Sequence, residues 1–162
     1  MISIVALIAT TISRATPLIF ASLGGATSER SGVVNIGIEG MILIGAFSAM
    51  AVSFYTGNPY FGLIAAGIAG GLLALVHGYI SISLGGSQAV SSAGIVLFAA
   101  GVTSFGVRMM TGRAGNSDPV AYLPNSPILK HIPLIGDFLA GFSPIVYLAL
   151  FTAIAVVYTM KH

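Results

Sequence analysis

Charge is the scarcest property of this chain. Asp, Glu, Lys and Arg together make up 6% of its 162 residues, against about 25% in a typical soluble domain. With hydrophobic residues at 56% and a mean hydropathy of +1.01, too little polar surface is left to face water. The composition predicts an integral membrane protein. Cysteine is absent, which excludes a disulfide framework and any thiolate metal site. His77, His131 and His162 lie far apart and show no metal-ligand spacing, so no metal site is expected. The net charge of +2 comes from scattered residues, and no basic cluster points to nucleic acid. Also missing are a Gly-x-x-x-x-Gly-Lys-Ser/Thr phosphate loop, a His-Glu-x-x-His zinc motif and a Gly-x-Ser-x-Gly elbow. Glu39 is the one carboxylate that could lie at membrane depth, so no carboxylate pair is available for intramembrane proteolysis. No catalytic residue is expected.

What the chain does have is a series of long apolar runs. A spanning helix needs about 20 mostly apolar residues, and five stretches meet that criterion. They run from about Ile2 to Leu23, Val34 to Tyr55, Phe61 to Leu84, Ala89 to Met110 and Pro144 to Met160. The expected fold is therefore an all-α membrane bundle of about five helices, forming one domain over residues 1–162. The first run carries no charged leader and no small-residue cleavage site close behind it, so it reads as a span and not as a signal peptide. Thr56-Gly57-Asn58-Pro59 and Gly85-Gly86 supply the turn chemistry between spans. Between the fourth and fifth spans, residues 111–142 hold Pro119, Pro124, Pro127 and Pro133. Prolines at this density exclude a continuous helix, and the segment reads as an exposed loop. Its apolar part, Ile128–Ile135, is suited to lie on the membrane surface or to cap the bundle. Glycines are frequent in the third and fourth spans, and Gly67 with Gly71 forms a small-xxx-small pair that reads as a helix-packing face.

One stretch stands apart, Ser28-Glu-Arg-Ser-Gly-Val-Val-Asn-Ile-Gly-Ile-Glu-Gly40. It holds both glutamates and three glycines, Gly32, Gly37 and Gly40. A polar, glycine-interrupted segment between two spans is either a connecting loop or a broken helix at a transport site, since irregular backbone at membrane depth is tolerated only inside protein or along a cavity. If the second helix starts near Val34, Glu39 lies about 8 Å inside it, where a carboxylate marks a pathway or a buried pair. Arg14, inside the first span, is the candidate partner, able to pair with Glu39 or Glu29. Alternatively, Glu39 sits at the interface beside the positive end of the helix dipole, and Arg14 snorkels to the headgroups. Asn35 and Gln88 are polar residues beside helix starts, suited to substrate contacts, caps or interhelical bonds. His77 reads as a packed, hydrogen-bonded histidine.

The residues of Ala15-Thr-Pro-Leu-Ile-Phe-Ala-Ser-Leu-Gly-Gly-Ala26, followed by Ser28–Phe47, resemble permease subunits of bacterial ABC importers. The likeness is to the nucleoside and simple-sugar branch, related to the branched-chain amino acid and ribose permeases. It continues more weakly through Gln88-Ala-Val-Ser-Ser, the proline-rich loop and Ser143-Pro-Ile-Val-Tyr-Leu-Ala-Leu. The resemblance implies a multi-pass subunit of the bacterial inner membrane that alternates access to a solute path. Its implied partners are a second permease subunit, ABC ATPase subunits that bind ATP and Mg, an extracytoplasmic solute-binding lipoprotein and membrane lipid. It implies no cofactor in this chain, and it makes Asn35, Gly37, Glu39, Gly40 and Gln88 the candidates for the solute path or the packed core.

Family members are about twice as long, so the chain reads as the N-terminal half of a permease, or as a truncated scaffold that does not itself transport. The branched-chain amino acid branch is the alternative within transport. The family topology puts Arg30 and Lys161 inside, with the N-terminus and the 111–142 loop outside. The count of basic residues near helix ends opposes this, since Arg108, Arg113 and Lys130 then fall outside. Replacing Glu39 with Gln separates the two readings of that residue. Impaired uptake with intact membrane insertion is the outcome for a pathway or gating carboxylate, and wild-type uptake the outcome for an interfacial one.

Overall fold

A computed structural model describes residues 4–112, 120, 123–124 and 141–161. Five helices account for almost all of them: α1 (Ile4–Arg30), α2 (Ile38–Thr56), α3 (Pro59–Gly78, prolonged by a π-helical segment, Tyr79–Ser83), α4 (Gln88–Thr111) and α5 (Pro144–Lys161). Each is long and apolar enough to cross a membrane. The shortest spans but one, α2 with 19 residues, extends about 28 Å at 1.5 Å per residue, close to the roughly 30 Å of a hydrocarbon core. Apart from residues 111–112, 120, 123–124 and 141–142, the proline-rich segment and its apolar part lie outside the described residues.

Two compact units are present. The first holds α1 as far as Leu23 together with α5, and in it Thr16, Phe142, Val146 and Ala149 are buried. The second runs from Gly24 to Tyr122 and contains the end of α1 with α2, α3 and α4.

Helix ends follow from local chemistry. Chain direction changes after α1 because Gly32 adopts a left-handed φ of 85°. The Val33 amide donates to the Ser28 carbonyl at 3.1 Å and the Gly32 amide to Glu29 at 3.0 Å, the paired bonds of a Schellman C-cap. Val33, the apolar residue that this cap carries, is buried. The sequence reading ends the first helix at Leu23 and starts the second at Val34. The structure instead extends α1 to Arg30 and starts α2 only at Ile38, because the cap lies at Gly32 and the polar Ser-Glu-Arg can still complete helical turns. The turn after α2 is as expected: Gly57 is left-handed, Asn58 accepts from the Tyr60 amide at 2.9 Å, and Pro59 opens α3.

In the second unit α2 is the shared element. It runs antiparallel to α3 along a row of small residues. A Cβ on Gly45 would stand 3.3 Å from the Ala66 carbonyl oxygen, one on Gly62 would stand 2.6 Å from the Ala49 oxygen and against Ser53, and one on Gly70 would meet the Met41 oxygen at 3.4 Å. It runs parallel to α4, where a Gly40 Cβ would lie 2.9 Å from the Ile95 oxygen and from Val96 Cα, and where the Phe47 ring covers Gly106. The expected packing pair, Gly67 and Gly71, does not take part. Both are exposed, with open space where a Cβ would be. The contact row is Gly62, Ala66 and Gly70, one position earlier and so about 100° around the helix.

The same substitution should therefore have opposite effects at two glycines. Gly40→Ala is expected to destabilise the folded protein by about 1–3 kcal/mol through overpacking against α4 backbone. Gly67→Ala is expected to be neutral or stabilising by up to about 1 kcal/mol, from helix propensity alone. Thermal unfolding of the detergent-solubilised protein reads both, and equal shifts would contradict the packing described.

Candidate functional site

The stretch singled out in the sequence becomes a linker, residues 31–37, laid across the start of α4. Two bonds from one side chain hold it there. Gln88, the first residue of α4, accepts from the Val34 amide at 2.8 Å and donates to the Gly32 carbonyl at 3.4 Å. Backbone groups in a linker have no ladder of their own, so an amide side chain with one acceptor and one donor end can satisfy both. From the other side the Ser28 hydroxyl donates to the Val33 carbonyl at 2.7 Å.

Gly37 then brings the linker onto α4 at closest approach. A Cβ there would stand 3.2 Å from Ser92 Cα and 3.3 Å from Asn35 Oδ1. No side-chain cap satisfies the start of α2 at Gly37. Any larger residue would have to push α4 away. One turn on, Gly40 repeats the contact against Ile95 and Val96. Gly37, Gly40, Asn35 and Gln88 thus gather at the meeting of the linker, α2 and α4.

Glu39 lies in the first turn of α2 with its side chain exposed. The 8 Å depth assumed a helix from Val34, and α2 begins four residues later. Arg14 belongs to the first unit and is likewise exposed. Every charged side chain among the described residues is exposed: Arg14, Glu29, Arg30, Glu39, Arg108 and Lys161.

The buried polar groups are hydroxyls and one imidazole instead. They are Thr16, Ser53, His77, Ser91, Ser92 and Thr103. Most hydroxyls in the spans bond a carbonyl one turn back in their own helix, as Thr103 does to Ala99 at 2.8 Å. Three groups around α4 behave differently. His77, on α3 and only 2% exposed, places Nδ1 3.0 Å from Ser91 Oγ, while its Nε2 has no partner. Ser92, 1% exposed, leaves Oγ unpaired. Asn35 gives its amide nitrogen only a weak contact to Met41 Sδ at 3.5 Å and leaves Oδ1 unpaired. Each unmet buried group costs about 1–3 kcal/mol, so all three need an explanation. The sequence points to His77 as a packed, bonded residue and to Asn35 as a candidate, but does not single out Ser91 and Ser92. Two adjacent hydroxyls early in an otherwise apolar run were the available signal.

Residues 7–162 match the family described as branched-chain amino acid transport system / permease component. The chain is 39% identical over 146 residues to the guanosine ABC transporter permease protein NupQ of Bacillus subtilis, an overlap of 85% of this chain and 45% of that protein. It is 37% identical over 147 residues to the putative glucose ABC transporter permease protein TsgC13 of Haloferax volcanii, covering 86% and 43% of the two chains. To the nucleoside ABC transporter permease protein NupC of Lactococcus lactis it is 33% identical over 138 residues, covering 80% and 43%. The chain thus spans less than half the length of these curated relatives. No solved structure gives a significant match.

Removing the clamp should release the linker. In Gln88→Leu the Val34 amide is expected to lose protection from hydrogen exchange by about five-fold, in line with one net hydrogen bond of roughly 1 kcal/mol. The helical amides of α2 should keep theirs. Unchanged exchange at Val34 would show that Gln88 does not hold the linker.

Proposed function

The chain belongs to the branched-chain amino acid transport system / permease component family, and from that premise we propose that it contributes to the membrane-spanning permease of an ATP-driven importer for nucleosides or a related simple sugar. The observation that carries this is the family match over residues 7–162, joined to relatives whose names specify guanosine, nucleoside and glucose transport. ATP and Mg bind a separate ATPase subunit in this reading, and a second permease subunit and a solute-binding lipoprotein complete the importer. The 111–142 segment is its extracytoplasmic loop.

The character of the buried polar groups supports a nucleoside or sugar over an amino acid. A zwitterion calls for charged or strongly dipolar partners, and among the described residues every charged side chain is exposed while the buried polar side chains are hydroxyls and an imidazole. Hydroxyl and imidazole groups of this kind suit a neutral, hydroxylated solute. Asn35, Gly37, Glu39, Gly40 and Gln88 remain the path and core candidates, with Gly37 and Gly40 serving close packing and Gln88 holding the linker.

The test is uptake of radiolabelled guanosine, glucose and leucine in membranes carrying the complete set of importer genes, with and without the gene for this chain. Loss of guanosine or glucose uptake when the chain is missing is the expected result. Loss of leucine uptake alone would assign the amino acid branch, and unchanged uptake of all three would assign a scaffold that does not transport.

A further inference from the structure

The importer reading leaves open what the unpaired groups at the linker are for. We propose that Asn35 Oδ1 and Ser92 Oγ are the two sides of a hydroxyl-recognition site for the transported solute, uncovered when the linker 31–37 lifts from α4. This rests on the importer reading and adds a site to it.

Three observations carry the proposal. Both atoms are buried without a partner, and Ser92 is 1% exposed. Asn35 Oδ1 and the backbone of Ser92 meet at Gly37, the position where a single Cβ would come within 3.2 Å of Ser92 Cα and 3.3 Å of Asn35 Oδ1. The packing therefore admits no residue larger than glycine here. The chemistry of the pair then selects the ligand. An amide oxygen only accepts, whereas a serine hydroxyl both donates and accepts. A solute hydroxyl, which does both, satisfies the two together; an ammonium could donate to both oxygens but would find no buried counter-charge among the described residues, and a carboxylate finds one donor and one repelling oxygen.

The linker is held by a small number of side-chain and backbone bonds that a conformational change could exchange. Gly32 and Gly37 bracket it, and Gly32 already has a left-handed φ of 85°. Between them Val34 and Ile36 are 47% and 66% exposed, so Val33 and the Gln88 bonds are what anchor it. The His77–Ser91 bond at 3.0 Å ties α3 to α4 one residue before Ser92. That bond keeps Ser92 in place on the fixed side while Asn35 travels with the linker.

The experiment uses the complete importer with Ser92→Cys in this chain, which has no cysteine of its own. Labelling of the chain by a membrane-impermeant maleimide is followed at rest, during ATP turnover, and during turnover with saturating guanosine or glucose, whichever the wild type transports. The expected result is at least ten-fold faster labelling during turnover than at rest, reversed by the solute. Alongside, Ser92→Ala and Asn35→Leu at wild-type membrane abundance should lower maximal uptake about ten-fold, with a smaller loss for an analogue of that solute lacking one hydroxyl. Labelling that ignores both turnover and solute, or variants that lose solute and analogue equally, would overturn the site while the importer reading stands. A wild-type importer that moves no hydroxylated solute would overturn both.

Discussion

Helices in hydrocarbon gain nothing by hiding apolar side chains from a solvent that is itself apolar. Association must come from close approach of backbones and from the few polar bonds between them. That constraint explains why a glycine or another small residue stands at each closest approach of α2 to its neighbours, on α2 itself or, where Phe47 covers Gly106, on α4. Gly45, Ala49 and Ser53 face the Gly62–Ala66–Gly70 row of α3, and Gly37 with Gly40 faces Ser92, Ile95 and Val96 of α4. The large apolar side chains mostly point elsewhere: Ile64, Ile68, Leu72 and Leu75 on α3, and Leu97, Phe98 and Phe105 on α4, are all exposed. An inside-out pattern of this sort would be untenable in water and is ordinary in lipid.

The same medium sets the rules for polar groups. Thr10, Thr11, Thr16, Thr103, Thr111 and Thr152 each bond a carbonyl four residues back, so these hydroxyls ask nothing of their surroundings. Against that background the unpaired oxygens of Asn35, Ser81 and Ser92 are exceptions, and Asn35 and Ser92 meet where the irregular segment between α1 and α2 lies on α4. Irregular backbone and unmet buried polar groups both cost free energy. Their coincidence beside two glycines is what marks the region as a place shaped for more than packing.

How much of this was legible in the sequence depended on range. Five spans could be read from run length and hydropathy alone, because the bilayer imposes one length on all of them. The turns at Gly57-Asn58-Pro59 and Gly85-Gly86 were legible because turn chemistry is local. The end of α1 was not, since Ser28-Glu-Arg reads as polar loop until the bond from Val33 to Ser28 reveals the cap. The packing row was missed by one position: periodicity defines rows of small residues, but Gly67–Gly71 and Gly62–Ala66–Gly70 satisfy it equally, and only the neighbour decides. The Gln88 clamp joins residues 54 and 56 positions apart, and nothing in a single sequence records such a pairing. Gly37 and Gly40 were found as members of a motif, and their reason, the backbone of α4 at van der Waals distance, came only with the fold.

The π-helical segment at the end of α3 bears on how this hairpin can change over time. A π turn holds one residue more than the α turn it replaces, and here it closes with the Leu84 amide on the Tyr79 carbonyl at 3.1 Å before Gly85 turns the chain toward α4. Loss of one residue between Gly78 and Ser87 would tighten that turn to α geometry without disturbing His77 above it or the Ser87 cap below. The segment is thus a length buffer, able to absorb an insertion or deletion at the one end of the hairpin where the register of α3 against α4 matters most.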